Sequence, residues 1–250
     1  MKPLTVSEQL RLMTSWLKEG RPFFHTRYND GEATAMFGLK GENDVNTDGH
    51  RYFRDMGRRL TQTYHRVCCA SAWKDNIIVG SWWPEDPTHE AAELLQAVDA
   101  AIYVRWCHSD LWFDEQAEAI GECAGEELME FLGALLTRPL VVVGCEALFG
   151  HAEHVPTEAD NAWDEHNTII REAMQAANGT YNNVFLWACG FTGKVASEAV
   201  WNAYPNTTHI DVGALLSALA GNPIRDWMKK PNGTHWRYLQ DVVVPKLRSV

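Results

Sequence analysis

The sequence predicts an α/β fold, a single Rossmann-like domain with a mostly parallel sheet flanked by helices. Three observations predict it. Apolar segments of strand length alternate with longer segments of helical period. The 250 residues are 46% hydrophobic and 22% charged, enough for one sizeable core that buries about 75% of the unfolded surface. No internal repeat, linker or low-complexity tract divides the chain, so one domain over 1–250 is expected.

At the start, apolar residues at 6, 10, 13 and 17 recur among Glu8, Arg11, Lys18 and Glu19. That spacing predicts an amphipathic helix over 5–19, not a signal peptide. A first strand is expected at Pro22–Tyr28, followed by a short helix from Glu32 to Phe37. Tyr52, Met56, Leu60 and Tyr64 form an i, i+4 stripe for the next helix, and strands follow at Asn76–Trp82 and Ala101–Trp106. Ala117, Ile120, Ala124, Leu128, Phe131 and Leu135 repeat the helical step before a strand at Leu140–Gly144. Ala162, Trp163, His166, Ile169, Ile170, Ala173, Met174 and Ala177 do the same before Asn178-Gly179, a helix stop. A strand at Asn183–Cys189, a helix at Val195–Tyr204, a strand at Thr207–Val212 and a C-terminal helix over about 233–248 packing on the core complete the reading.

The formal charge of −11 argues against a general phosphate-backbone binder, because such affinity rests on Lys and Arg. Charge is uneven. Residues 80–130 hold 13 acidic side chains and one basic one, Arg105, whereas 225–250 hold six basic and two acidic. The acidic stretch reads as the solvated face of two helices or as a docking surface. Six scattered cysteines without a C-x-x-C pair read as reduced thiols. No apolar run approaches the ~18 residues of a membrane span, so a cytoplasmic protein is expected. The N-x-T triplets at Asn178, Asn206 and Asn232 read as turns.

Three segments carry chemistry. Arg27-Tyr28-Asn29-Asp30-Gly31-Glu32 closes the first strand with turn residues, where parallel sheets form their ligand crevice. Carboxylates at i and i+2 in extended backbone face one side, and at ~6 Å they repel by roughly 3 kcal/mol at an effective dielectric near 20. Such a pair favours a cation, and oxygen ligands suit Mg²⁺ or Mn²⁺. The plain alternative is that Asp30 caps the helix and Glu32 favours its first turn.

The second segment is Val184 to Lys194, a strand running into Gly190-Phe-Thr192-Gly193-Lys194 and then a helix. Backbone N–H groups at such a start make an anion site, to which Thr192 and Lys194 add a hydroxyl and a charge. It is neither a Walker A loop, since Ala188 and Val195 break that pattern, nor G-x-G-x-x-G. The third is Thr208-His209-Ile210-Asp211-Val212-Gly213, in which Asp211 either holds a sugar hydroxyl, acts as a base, or is a satisfied strand-end residue.

Together, in this order, the segments resemble the GT-D family of glycosyltransferases, whose pattern runs R-[YF]-G-D-G-E, then G-x-T-[AG], then D-[IV]-G. Val155-Pro156 and Asn161-Ala162-Trp163 resemble that family's I-P and N-A-[FW] positions. The likeness spans roughly residues 21 to 228. It implies a metal-dependent transfer of a sugar from a nucleotide-diphospho-sugar, a UDP-hexose, to a hydroxyl acceptor. Asp30 and Glu32 would hold Mn²⁺ or Mg²⁺, with Asp211 as the third catalytic carboxylate. Arg27, Gly144, Asn161, Gly190, Thr192, Gly193 and Lys194 would bind the donor. Asn29 replaces a Gly, a mild change because Asn tolerates unusual dihedrals. Ala214 replaces a His, which leaves any His-based role unsupported.

Trp73, Trp82, Trp83, Trp106 and Trp112 gather around predicted strand ends, as core or as stacking surfaces for a sugar or base. His151 and His154 have helical spacing for two metal ligands, but no third ligand is visible nearby. Two other readings compete. A Rossmann-like S-adenosylmethionine-dependent methyltransferase would use Val141 to Glu146 as its cofactor loop; a non-catalytic module would bind nucleotide or dock through the acidic surface. The acceptor is a glycan, a protein or, if the basic C-terminal segment lies beside the Trp-rich rim, a hydroxylated DNA base.

Overall fold

Thr5 starts the first helix, α1 (Val6–Glu19), with a reciprocal cap: its hydroxyl accepts from Glu8 N–H and the Glu8 carboxylate accepts from Thr5 N–H. Gly20 ends the helix in the left-handed conformation. The computed structural model describes residues 4–28, 30–40, 44–45, 51–69, 76–81, 105–108, 125–147, 150, 152–158, 161–178, 182–222, 241 and 244–245. Along these, β1 (Phe24–Tyr28), α2 (Asp30–Phe37), α3 (Arg54–Cys69), β2 (Ile77–Ser81), β3 (Arg105–His108), α4 (Gly125–Leu136) and β4 (Leu140–Gly144) follow α1. Then come β5 (Glu153–Pro156), a 3-10 turn (Ala162–Glu165), α5 (His166–Ala177), β6 (Val184–Ala188), α6 (Gly190–Ala203), β7 (Thr208–Asp211) and α7 (Ala214–Ala220).

Six strands form an all-parallel sheet in the order β2-β1-β7-β6-β4-β5, and β3 pairs on the β2 edge as a seventh. The architecture is therefore Rossmann-like, a parallel sheet between helical layers. β4 and β6 are apolar on both faces because both are covered, whereas the neighbouring β1 and β7 bury His25, Thr26, Thr208 and His209 among their apolar residues. One face presents Phe23, Ile78, Leu140, Val142, Val184, Leu186 and Ile210 to α1, α4 and α7. The other presents Val141, Val143, Phe185 and Trp187 to α5 and α6, and Phe24, Ile77 and Val79 to α3. Val244 is buried in the first layer. Among the described residues no helix is long and apolar enough to cross a membrane.

His209 belongs to this core. Its ring stacks on Phe185, 5.0 Å between centroids, and lies 5.7 Å from Phe24. Trp187 Nε1–H donates to its Nδ1 at 3.0 Å, which puts the proton on Nε2, 2.8 Å from Thr207 Oγ1. Burial pushes its pKa down to about 3, so it is a neutral, satisfied core residue at neutral pH.

Several boundaries differ from the sequence reading. α2 begins at Asp30, so Asp30 is its first helical residue and not a cap preceding Glu32. α6 begins at Gly190 instead of 195, because Gly190 takes a φ of 55° at the corner and the Gly190–Lys194 turn winds directly into the helix. The expected helix at 162 opens as a 3-10 turn before α5. The described part of the third strand, Arg105–His108, runs two residues past the expected end at Trp106, and 101–104 lie outside the described residues. Residues 153–156 form β5, so His154 is not on a helix; its Nε2 bonds Gly144 O at 2.9 Å, and His151 lies outside the described residues. Also outside them are Trp73, Trp82, Trp83 and Trp112, most of the acidic 80–130 stretch, residues 117–124, and nearly all of the expected helix over 233–248.

Candidate functional site

The chain leaves β1 for α2 and β6 for α6 on one face of the sheet, but leaves β7 for α7 on the other. Neighbouring strands whose connections diverge in this way open a crevice at their carboxyl ends, the usual ligand position of open parallel sheets. Arg27 sits near the end of β1 and Asp211 ends β7, the strand beside it. Glu32 enters from the first turn of α2, and Lys194 from the first turns of α6.

These four side chains form one ion-paired quartet. Lys194 Nζ lies 2.7 Å from Glu32 Oε1 and 3.1 Å from Asp211 Oδ2, and Arg27 Nη2 lies 3.5 Å from Asp211 Oδ1. Their side chains are only 8% to 13% exposed, so each charge is compensated by its neighbours more than by water. Two cations and two carboxylates cancel. Burial by itself raises the Asp211 pKa, but Lys194 and Arg27 outweigh it and hold the carboxyl below its ordinary value. Burial lowers that of Lys194, but Asp211 and Glu32 outweigh it and hold the ammonium above its ordinary value. Both stay charged at neutral pH, which makes Asp211 a weak base and a firm hydrogen-bond acceptor. Two neighbours are neutral. Burial pushes the His25 pKa down to about 3, opposed by Asp211, and pushes the Cys189 thiol up to about 12, opposed by Lys194.

Backbone shape holds the quartet. Gly213, with φ 47°, leaves room for the Arg27 guanidinium, which lies where a Cβ on residue 213 would stand. A Cβ on Gly193 would press on Cys189 Sγ at 3.3 Å, so the bare turn lets α6 seat against the end of β6 and aim Lys194 at the crevice. Thr192, in the same turn, is buried.

Of the residues expected at the site, Arg27, Glu32, Lys194 and Asp211 come together, with Gly190, Thr192 and Gly193 forming the turn that carries Lys194. Asp30 opens α2 on the same corner, its side chain outside the described residues. Two others serve elsewhere in the described contacts. Gly144 ends β4, where a Cβ would meet Ala188 Cβ at 3.2 Å and Leu216 Cδ2 at 3.3 Å. Asn161, with φ 59°, heads the 3-10 turn, and its Oδ1 accepts from Arg51 N–H at 3.0 Å. Glu146 bonds Asn222.

Sequence reasoning missed that Lys194 bridges Glu32 and Asp211. It also missed the buried carboxylate of Glu198, gripped in bidentate fashion by Arg66 at 2.6 and 2.9 Å between α6 and α3. The only signal for either was a charged residue inside an otherwise buried helix face. Among the described residues no three His, Cys, Asp or Glu side chains are grouped to hold a metal ion. A groove of about 310 Å³ along α5, lined by Ile170, Met174 and Tyr204 among others, includes none of the quartet. Compared with protein-family models, curated proteins and solved structures, the chain matches none.

Proposed function

We propose that the protein is a glycosyltransferase that takes its sugar from a nucleotide-diphospho-sugar, a UDP-hexose, and works in the crevice between β1 and β7. One observation carries the reading. Lys194 joins Glu32 to Asp211, so the three segments that resemble the GT-D family meet at one point although they are far apart in the chain.

Breaking the bond between the sugar and its diphosphate builds negative charge on the leaving nucleotide, and catalysis consists mainly of meeting that charge. Arg27 and Lys194, whose charges are balanced by Glu32 and Asp211, would offer N–H donors to the diphosphate, and the first turn of α6 adds backbone N–H groups with the positive end of its dipole. Asp211, kept ionised by its neighbours, accepts a hydrogen bond from a donor hydroxyl and orients the sugar.

The resemblance assigns Mn²⁺ or Mg²⁺ to Asp30 and Glu32, an ion that would neutralise the diphosphate when bound. Carboxylate oxygens suit such ions. The described carboxylates fit one poorly, however: Lys194 already holds Glu32 Oε1, and Asp211 is shared by Lys194 and Arg27. The steps above accordingly rest on the chain's own charges.

The test is a panel of nucleotide sugars, with and without divalent ions, in which released nucleotide is measured. The reading expects UDP from at least one UDP-sugar, and a large loss in Asp211→Asn. Release of no nucleotide from any donor, with a hydroxyl acceptor mixture present, would defeat it.

A further inference from the structure

Lys194 stands where a cation bridging Glu32 and Asp211 would stand. Its Nζ reaches one carboxylate at 2.7 Å and the other at 3.1 Å, both ordinary ion-pair distances. The side chain is 8% exposed and grows from the first turns of a helix seated on the end of β6, so moving it into water would take a buried ion-pair partner from both Glu32 and Asp211. A divalent ion could not share that point with the ammonium and would be repelled by it from any position close by.

We propose that Lys194 is the resident cation of this site: its ammonium, and not a divalent metal ion, bridges Glu32 and Asp211 and locks the β1–α2 corner to the end of β7. Lys194 is thus a positioning residue for both carboxylates. In the glycosyltransferase reading, on which this consequence rests, Lys194 also takes the metal ion's place beside the diphosphate, with its charge shared between Glu32 and Asp211.

The deciding experiment is a Mn²⁺ titration of the full chain followed by electron paramagnetic resonance. Wild type and Glu32→Gln should bind Mn²⁺ alike, because Glu32 is already occupied by Lys194. Lys194→Met should gain a Mn²⁺ site at least about tenfold tighter, the scale on which ligand-shell changes alter metal affinity. Adding Glu32→Gln to Lys194→Met should abolish that gain.

Weaker Mn²⁺ binding by Glu32→Gln than by wild type would overturn the proposal, as would a folded Lys194→Met that gains nothing. Should Lys194→Met fail to fold, the comparison of wild type with Glu32→Gln decides alone. Turnover gives a separate arm. Nucleotide release that persists in EDTA agrees with a lysine bridge, and release abolished by EDTA contradicts it. If no nucleotide sugar reacts, the glycosyltransferase reading fails, while the Mn²⁺ titration still decides the role of Lys194.

Discussion

The guanidinium of Arg27 fills the space that a side chain on Gly213 would need. Gly213→Ala therefore carries two costs: a left-handed backbone, about 1–2 kcal/mol for a residue with a Cβ, and displacement of Arg27 from Asp211. Gly38 is a control, since it has φ 64° but nothing within 4 Å of its would-be Cβ. Urea unfolding should show Gly213→Ala losing clearly more stability than Gly38→Ala. Equal losses would mean that Arg27 moves aside freely.

Removing the Lys194 ammonium takes the bridging cation from Glu32 and leaves Asp211 to its longer contact with Arg27. Lys194→Met should lower the unfolding free energy by roughly 3–5 kcal/mol, the usual cost of breaking a buried pair from one side. Adding Glu32→Gln should recover part of that loss, and denaturant unfolding of the single and double variants measures the coupling. Strict additivity would contradict a shared ion pair.

The packing of α2 on α3 depends on a bare position. A Cβ on Gly57 would run into the backbone carbonyl of Ala35, which cannot swing away as a side chain would. Gly57→Ala should cost about 1–3 kcal/mol, as overpacking does. Because α2 carries Glu32, it should also weaken nucleotide release from a reactive donor more than its stability loss explains. A neutral Gly57→Ala would show that the two helices shift apart at no cost.

The buried His209 sets a pH dependence. Its folded pKa, about 3, lies below its ordinary 6.5, so the unfolded chain binds more protons between those values. Its contribution is whole above pH 6.5 and is lost as pH falls toward 3, by roughly 1 kcal/mol per pH unit. His25 acts in the same direction. Unfolding free energies at pH 7, 6 and 5 should fall steadily, and His209→Gln should remove about half of the slope. An unchanged slope in that variant would place the titration elsewhere.

Much of the fold was legible because its central strands are covered on both faces and so read as apolar runs: Leu140–Gly144 and Val184–Ala188 stand within a residue of their expected ends. β5 was not, since Glu153, His154 and Pro156 surround Val155 as its one fully buried residue and the strand pairs on a single side. The start of α6 was obscured because Gly190 and Gly193 read as a turn, whereas here they are what lets the helix begin against Cys189. That Arg27, Glu32 and Asp211 are candidate site residues was legible from turn residues at strand ends together with the family resemblance. That Lys194 would bridge both carboxylates was not, because the contact joins segments brought together only by the strand order.

A crystal of the protein soaked with uridine diphosphate would locate the nucleotide directly. The diphosphate should lie at the carboxyl ends of β1 and β7, against the first turn of α6 and within reach of Arg27 and Lys194. Nucleotide density bound away from that crevice, with the crevice itself empty, would contradict it.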